Sequence, residues 1–274
     1  MMRRIALLLP LVVCLCASCQ APDGKAVISK GLWSQDAEEK AVSLVLACGG
    51  KVTRDENLPG RPVVGVDLLA AKYDIGDGVL KALVPLKDLR RLEVGGNPIT
   101  DAGLKEAKKF RHLEEIGLMM AHVTDAGVID FLKEHRDLRK LDLSQTRITG
   151  LSMMEIGQLK GLEELCLGDN PITDADLIPI KELKGLQVLS LIRTKVTDIG
   201  VRELKELKGL KTLYLCDNAI TDAALQDLKE LKCLQVLSLQ GTAITKDGLN
   251  AMRKALPDTK VRYADQNGCT IPPR

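Results

Sequence analysis

Five aspartates stand in one repeated setting, each directly after a threonine: Asp101, Asp125, Asp174, Asp198 and Asp222. Two longer stretches, NPITDAGLKEAKKF at 97–110 and NPITDADLIPIKEL at 170–183, are nearly the same phrase. A carboxylate in a fixed context can be a catalytic acid or base, a cation ligand or a structural device. Catalysis requires one carboxylate distinguished from the rest by its surroundings, and nothing in the phrase singles one out. A Ca²⁺ ladder of the β-helix kind draws several oxygens per turn from glycine-rich repeats, whereas each phrase here offers one Asp where a helical pattern begins. The column therefore predicts caps, with Thr or Asp accepting from the free N–H groups of a first helical turn and Asp favoured by the helix dipole. Such a cap contributes about 1 kcal/mol.

The remaining reactive side chains form no recognisable machinery. His112, His122 and His135 lie in no HExxH motif and are expected to be solvated. Gly76-Asp77-Gly78 is followed by Val-Leu-Lys and fails the dinucleotide fingerprint, and neither GxSxG nor a Walker loop occurs. Beyond the first 19 residues the cysteines are Cys48, Cys166, Cys216, Cys233 and Cys269, with no CxxC pair among them. Cys233 and Cys269 both belong to the C-terminal end and could pair there; separate thiols are the alternative. No catalytic residue, metal or cofactor is expected.

The elements that carry these residues recur with a fixed period. Units of the form LxxLxLxxNxIT start at Leu89, Leu113, Leu138, Leu162, Leu186, Leu210 and Leu234, at spacings of 24, 25, 24, 24, 24 and 24. Within each, alternating apolar pairs such as Leu189/Leu191 predict a short strand with one buried face. Apolar residues at spacings of three and four, as at Val201, Leu204 and Leu207, then predict a helical segment. Thr100, Thr124, Thr149, Thr173, Thr197, Thr221 and Thr245 fill one column without exception, while Gly150 and Lys246 interrupt the Asp column beside it.

This pattern resembles the leucine-rich repeats, in short units with an ITDxGL phrase similar to those of F-box adaptors. The column that would hold Cys in those adaptors carries Asn97, Ala121, Thr146, Asn170, Thr194, Asn218 and Thr242, no F-box is recognisable, and the 24-residue length looks bacterial. The resemblance implies an α/β solenoid, with a curved parallel sheet on the concave side, short helices on the convex side and a protein partner on the concave face. It also divides the chain into an N-terminal cap at 35–62, repeats at 63–256 and a C-terminal cap at 257–274. Ala37 to Cys48 reads as an amphipathic capping helix and Pro62 to Leu68 as the first strand. Nine strands at about 4.8 Å would make a sheet roughly 40 Å long.

Ahead of the cap, Arg3 and Arg4 precede an apolar run from Ile5 to Leu15 and then small residues, the layout of a secretory signal over 1–19, with a spacer over 20–34. Cys16-Ala17-Ser18-Cys19 resembles a bacterial lipobox, with Cys16 and Ser18 departing from the usual residues. The resemblance implies lipidation of Cys19 and an envelope membrane tether; the alternative is simple cleavage after Cys19 or Ala21, releasing a secreted protein. Of 39 Lys and Arg, two lie in this leader, so the remainder balances the 37 acids. Without a basic excess, nucleic acid is not an expected partner.

The residues between the strand leucines carry no packing duty in such a solenoid, and they vary: Glu93, Gly117, Asp142, Cys166, Ser190, Tyr214, Ser238 and Arg262. Ile192, Arg193, Tyr214 and Asp217 form the most contact-prone group, an aromatic and an Arg beside an aliphatic. A protein partner is the leading expectation. The alternatives are a structural or carbohydrate-binding envelope protein, which would need exposed aromatics, or an intracellular adaptor if the leader stays uncleaved.

Overall fold

A leucine that returns every 24 residues is hidden only if successive turns lie side by side. In the computed structural model, which describes residues 32–69, 71 and 75–263, the turns do so. Ten strands form one sheet in sequence order. They are β1 Lys51–Arg54, β2 Val63–Asp67, β3 Arg91–Glu93, β4 Glu115–Gly117, β5 Lys140–Asp142, β6 Glu164–Cys166, β7 Val188–Ser190, β8 Thr212–Tyr214, β9 Val236–Ser238 and β10 Lys260–Arg262. From β2 onward all pairings are parallel, and the register holds Leu92, Ile116, Leu141, Leu165, Leu189, Leu213, Leu237 and Val261 in one row. A slip of one residue would turn that whole row outward.

Each repeat gives the interior the same set. In the repeat that begins at Leu186, Leu189, Leu191, Val196, Val201, Leu204 and Leu207 are all at most 1% exposed. Full burial of such side chains contributes up to about 1.5–3 kcal/mol each. Behind the sheet run short helices at Gly78–Leu83, Asp101–Ala107, Asp125–Leu132, Met153–Ile156, Asp198–Leu204, Leu225–Leu228 and Lys246–Ala255. Three repeats use 3₁₀ turns in place of part or all of that helix, at Gly150–Ser152, Asp174–Leu177 with Pro179–Glu182, and Asp222–Ala224. Pro179 explains the break in the second, because it has no N–H to continue a ladder.

The N-terminal cap is longer than the sequence pattern suggests. Its helix runs Leu32–Ala47 and sets Ala41, Val42 and Val45 on the core. It is followed by β1, a strand with no predicted counterpart, which pairs antiparallel with β2. Arg54 ties hairpin to helix, donating to Glu38, Glu39 and the Arg61 carbonyl. The leader with Cys19, and Cys269, lie outside the described residues.

Asn97, Asn170 and Asn218 are among the polar residues buried in the stack, each 3–6% exposed. Asn170 Nδ2 donates to the carbonyls of Leu143, Leu167 and Gly168, while its Oδ1 accepts from the Thr146 N–H and hydroxyl. Asn218 repeats this with Leu191, Leu215, Cys216 and Thr194. One carboxamide thus ties together strand-end carbonyls of two repeats, and is the side-chain donor to the carbonyl three residues back, Leu167 for Asn170 and Leu215 for Asn218. Where Thr fills the column, at 146, 194 and 242, its hydroxyl donates to the carbonyl three residues back.

Candidate functional site

The aspartate column does something other than cap its own helix. Asp174 Oδ1 accepts from the Thr197 N–H at 2.7 Å and the Gly200 N–H at 2.9 Å, and Oδ2 accepts from the Thr197 hydroxyl at 2.7 Å. Asp101 holds Thr124, Asp125 holds Thr149, Asp198 holds Thr221 and Asp222 holds Thr245 in the same way. Every one of these bonds crosses to the next repeat. Thr remains the cap of its own segment, accepting for example from Ile199 N at Thr197 and Ala223 N at Thr221. Thr caps, and Asp clamps the neighbour. The Thr245 hydroxyl and N–H hold the Asp222 carboxyl below the usual carboxylate range.

Asp77 belongs to this column and opens it, accepting from the Thr100 N–H and hydroxyl. It stands one period before Asp101, which is the signal that would have found it; the flanking glycines in GDG draw attention elsewhere. The clamp also explains the glycine of the phrase. A Cβ on Gly103, Gly200 or Gly248 would sit 2.1–2.4 Å from a carboxylate oxygen of the preceding repeat's Asp. With its oxygens engaged by N–H and O–H donors, the column has little left to offer a cation. Among the described residues no group of three or more His, Cys, Asp or Glu is placed to hold a metal ion.

One repeat inverts the arrangement. Gly150 stands in the Asp column and Asp176 in the Gly column, and Asp176 Oδ2 accepts from the N–H and hydroxyl of Thr173. A Cβ on Gly150 would lie 1.8 Å from Asp176 Oδ1, so the carboxylate reaches the same place from the other side. Gly150→Asp alone and Asp176→Gly alone are each expected to lose about 1–2 kcal/mol, from crowded carboxylates and from an unpartnered cap respectively. The double variant is expected to recover most of that loss in urea unfolding. Additive losses would mean that the two positions do not share one carboxylate site.

His135 departs from the solvated histidine expected. It is 4% exposed, stacked on Phe131 at 4.1 Å, with Nδ1 facing the Phe131 carbonyl and Nε2 the Phe110 carbonyl at 3.1 Å. His112 and His122 are exposed. Burial pushes the His135 imidazole below its ordinary value of 6.5, against a smaller upward pull from the two carbonyls. The unfolded chain then takes up a proton first as pH falls. The neutral form's contribution is therefore complete above about pH 6.5 and is lost on acidification, at up to about 1.4 kcal/mol per pH unit. Urea unfolding at pH 7.5 and 5.5 should show this slope, and His135→Gln should flatten it.

The group singled out on the concave face divides in two. Ile192 and Tyr214 are each 5% exposed and pack together with Cys216, so they do not project as an exposed aliphatic and aromatic. Tyr214 ends β8 in register with Ser190, and Ile192 follows two residues after β7; burial also raises the Tyr214 phenol. Arg193 and Asp217 are exposed in the turn after the strand, with φ of 49° and 56°. Arg193 Nε and Nη2 donate to Asp169 at 2.6 and 2.8 Å, and Nη1 lies 3.8 Å from Asp217 Oδ2. Asp169, Arg193 and Asp217 occupy equivalent left-handed positions in three successive turns, forming an acid–base–acid ridge at the rim of the face. Towards β1 the face keeps a shallow hollow of about 430 Å³, lined in part by Leu69, Arg91, Glu93, Glu115, Met119 and Asp142.

The thiols also differ from expectation. Cys233 is a free, exposed thiol, which rules out its pairing with Cys269 in this structure. Cys216 is disulfide-bonded instead. The outer Lys column is solvated, and Lys184 and Lys208 reach Glu206 and Glu230 of the following repeat at 3.7 and 4.0 Å.

Comparison with known proteins adds the fold's relatives. Three family models described as leucine-rich repeats match residues 182–244, 136–179 and 86–106. Among solved structures, internalin C2 of Listeria monocytogenes is similar at a TM-score of 0.57 and 24% identity, over 74% of this chain and 81% of that one. A second internalin of that organism, inlF, is similar at 0.51 and 19%, over 68% of this chain and 58% of its own. No curated protein matches the chain in sequence.

Proposed function

We propose that this leucine-rich-repeat solenoid is an exported recognition protein that binds another protein on its concave face and performs no catalysis. The observation that carries the proposal is the division of labour within each repeat. Leucines, Asn, Thr, Asp and Gly are used up by packing, strand-end bonds and inter-repeat clamps, while the face residues vary freely from turn to turn. A solenoid's concave surface is its usual recognition surface. Of the four residues first singled out, Arg193 and Asp217 stay in the contact group, with Asp169 added, as a charged rim on which Arg193 already sits between two carboxylates; Ile192 and Tyr214, buried on the same face, support it from below.

The export part of the proposal rests on the leader over 1–19, with Cys19 as the lipidated residue and a spacer ahead of the cap helix that begins at Leu32. Among the described residues no helix is long and apolar enough to cross a membrane. The balanced charge gives no electrostatic footprint for nucleic acid. Burial of Tyr214 removes the exposed aromatic platform that the carbohydrate alternative needs.

Affinity capture from envelope extracts tests the surface. Arg193→Ala, which also leaves Asp169 and Asp217 facing each other, is expected to cut partner recovery at least about tenfold, a hot-spot loss of more than 1 kcal/mol. Unchanged recovery would remove the ridge from the proposal. Lipid labelling and fractionation of wild type against Cys19→Ala tests the tether, and cytoplasmic protein with an intact N-terminus would overturn export.

A further inference from the structure

The helical side of the stack carries two columns that the phrase TDxG leaves unused. Two positions after the repeat threonine stand Ala126, Leu151, Ala175, Ile199 and Ala223 in successive repeats. Five positions after it stand Ile129, Met154, Ile178, Arg202 and Gln226. Residues three apart on a helical turn share a face, so the two columns run side by side. Leu151, Met154 and Ile199 are 73%, 66% and 62% exposed, and Ile178 is 48% exposed. A single apolar side chain in water is ordinary, but four of them in three adjacent repeats make one patch.

The order of residues in the patch is self-complementary. A twofold axis lying in the contact plane, across the stack between the repeats of Leu151 and Ala175, brings each column against its own reversed copy. Leu151 then meets Ala175 of the second copy, Ile199 meets Ala126, and Met154 meets Ile178. Large side chains thus face exposed alanines, as interdigitation requires. The charges agree with the same register. Arg202 comes against Ile129 with the exposed Asp130 beside it, and Lys105 comes against Gln226 with Asp227 beside it. Asp130 already binds Lys108 at 3.0 Å, and Arg202 lies 3.9 Å from Asp227 in its own chain; such rim charges set register more than affinity. The position next to the patch carries Asp130, Glu155, Glu203 and Asp227, carboxylates that an anionic lipid surface would repel. Helical segments pack about 8–10 Å apart, so four repeats span about 30 Å. That footprint reaches the low end of specific interfaces, about 1,200 Å² in total.

We propose that two copies of this chain associate back to back through this patch, burying Leu151, Met154, Ile178 and Ile199 about that twofold axis. The contact group with Arg193 lies on the other side of the sheet and stays open in each copy. The dimer therefore stands independently of the partner proposal above. Its small area predicts a dissociation constant on the order of micromolar.

Sedimentation equilibrium of the full chain, from about 1 to 100 μM, brackets that constant. The mass is expected to rise from one chain to two, and Leu151→Glu/Ile199→Glu is expected to associate at least about tenfold more weakly. The leader is the same in both proteins, so the difference reads this face. Ala126→Cys/Ile199→Cys, made in a Cys233→Ser background, tests the register. Those positions lie three repeats apart, about 24–30 Å, too far to bridge within one chain. Oxidation is therefore expected to give a covalent dimer in which position 126 of one copy is linked to position 199 of the other, mapped by mass spectrometry. This second variant keeps Leu151 and introduces no charge, so it decides the matter even if the glutamates disturb folding. Wild type of one-chain mass throughout, undiminished association of the glutamate variant, or a dimer without the 126–199 link overturns the proposal. So does a monomer that sediments with phosphatidylglycerol vesicles only while Leu151 and Ile199 are intact, which would give the patch to a membrane.

Discussion

Asn170→Ala is expected to destabilise the protein by about 2–3 kcal/mol, because the Leu167 carbonyl and the Thr146 N–H lose their partner in a buried setting. The carboxamide donates to Leu143, Leu167 and Gly168 and accepts from Thr146, so its loss strands groups in two repeats at once. No water enters easily at a site that is 3% exposed. Asn170→Thr is expected to lose only about half as much, since Thr146, Thr194 and Thr242 already serve this column with one hydroxyl bond to their own repeat. Chemical denaturation gives the free energies. Hydrogen exchange should place the opening at the Leu143–Thr146 amides in Asn170→Ala. Equal losses for Ala and Thr would mean that the column matters for shape and not for its bonds.

The second large effect is expected at Asp174. Its removal in Asp174→Ala takes three acceptor contacts from the next repeat, two of them from backbone N–H groups at a helix start. Charge-assisted bonds of this kind are lost at about 2–3 kcal/mol in total once partial solvation is allowed for. Asp222→Ala should cost less, because its two contacts lie in an exposed setting.

Much of this architecture is written in the sequence, because stacking imposes one period on every level. The leucine row, the strand positions and the helical pattern all follow from a unit that cannot bury its own side chains. The misassignments share a physical cause: they concern contacts between repeats, which no single phrase displays. Asp174 looks like a helix cap because it directly precedes a helix, but its oxygens point to the Thr one period on. The Gly150/Asp176 exchange reads as two defects in a column, and becomes one carboxylate only when the repeats are laid side by side. His135 ends a helical segment, where solvent is the ordinary expectation, and stacking turns it inward onto Phe131 and the Phe110 carbonyl. Ile192 and Tyr214 occupy face positions and were legible as such; their burial depends on neighbours in other repeats, among them Val188 and Cys216. The turn column holding Arg193 and Asp217 has a backbone reason of its own, a left-handed conformation that Gly96 and Gly241 take elsewhere. Arg193 is an uncommon residue there, which makes its ion pair with Asp169 a choice of this repeat and not of the fold.

The phrase TDxG is therefore an interlock between repeats, and the double-mutant cycle of Asp174→Ala with Thr197→Val measures that interlock directly. Urea unfolding of wild type, both single variants and the double variant is expected to give a coupling free energy of about 1–2 kcal/mol, because either single variant already breaks the bond from the Thr197 hydroxyl to Asp174, while the hydroxyl's cap to Ile199 N does not depend on Asp174. Additivity within about 0.3–0.5 kcal/mol would contradict it, and would return the aspartate column to the role of an independent cap for its own helix.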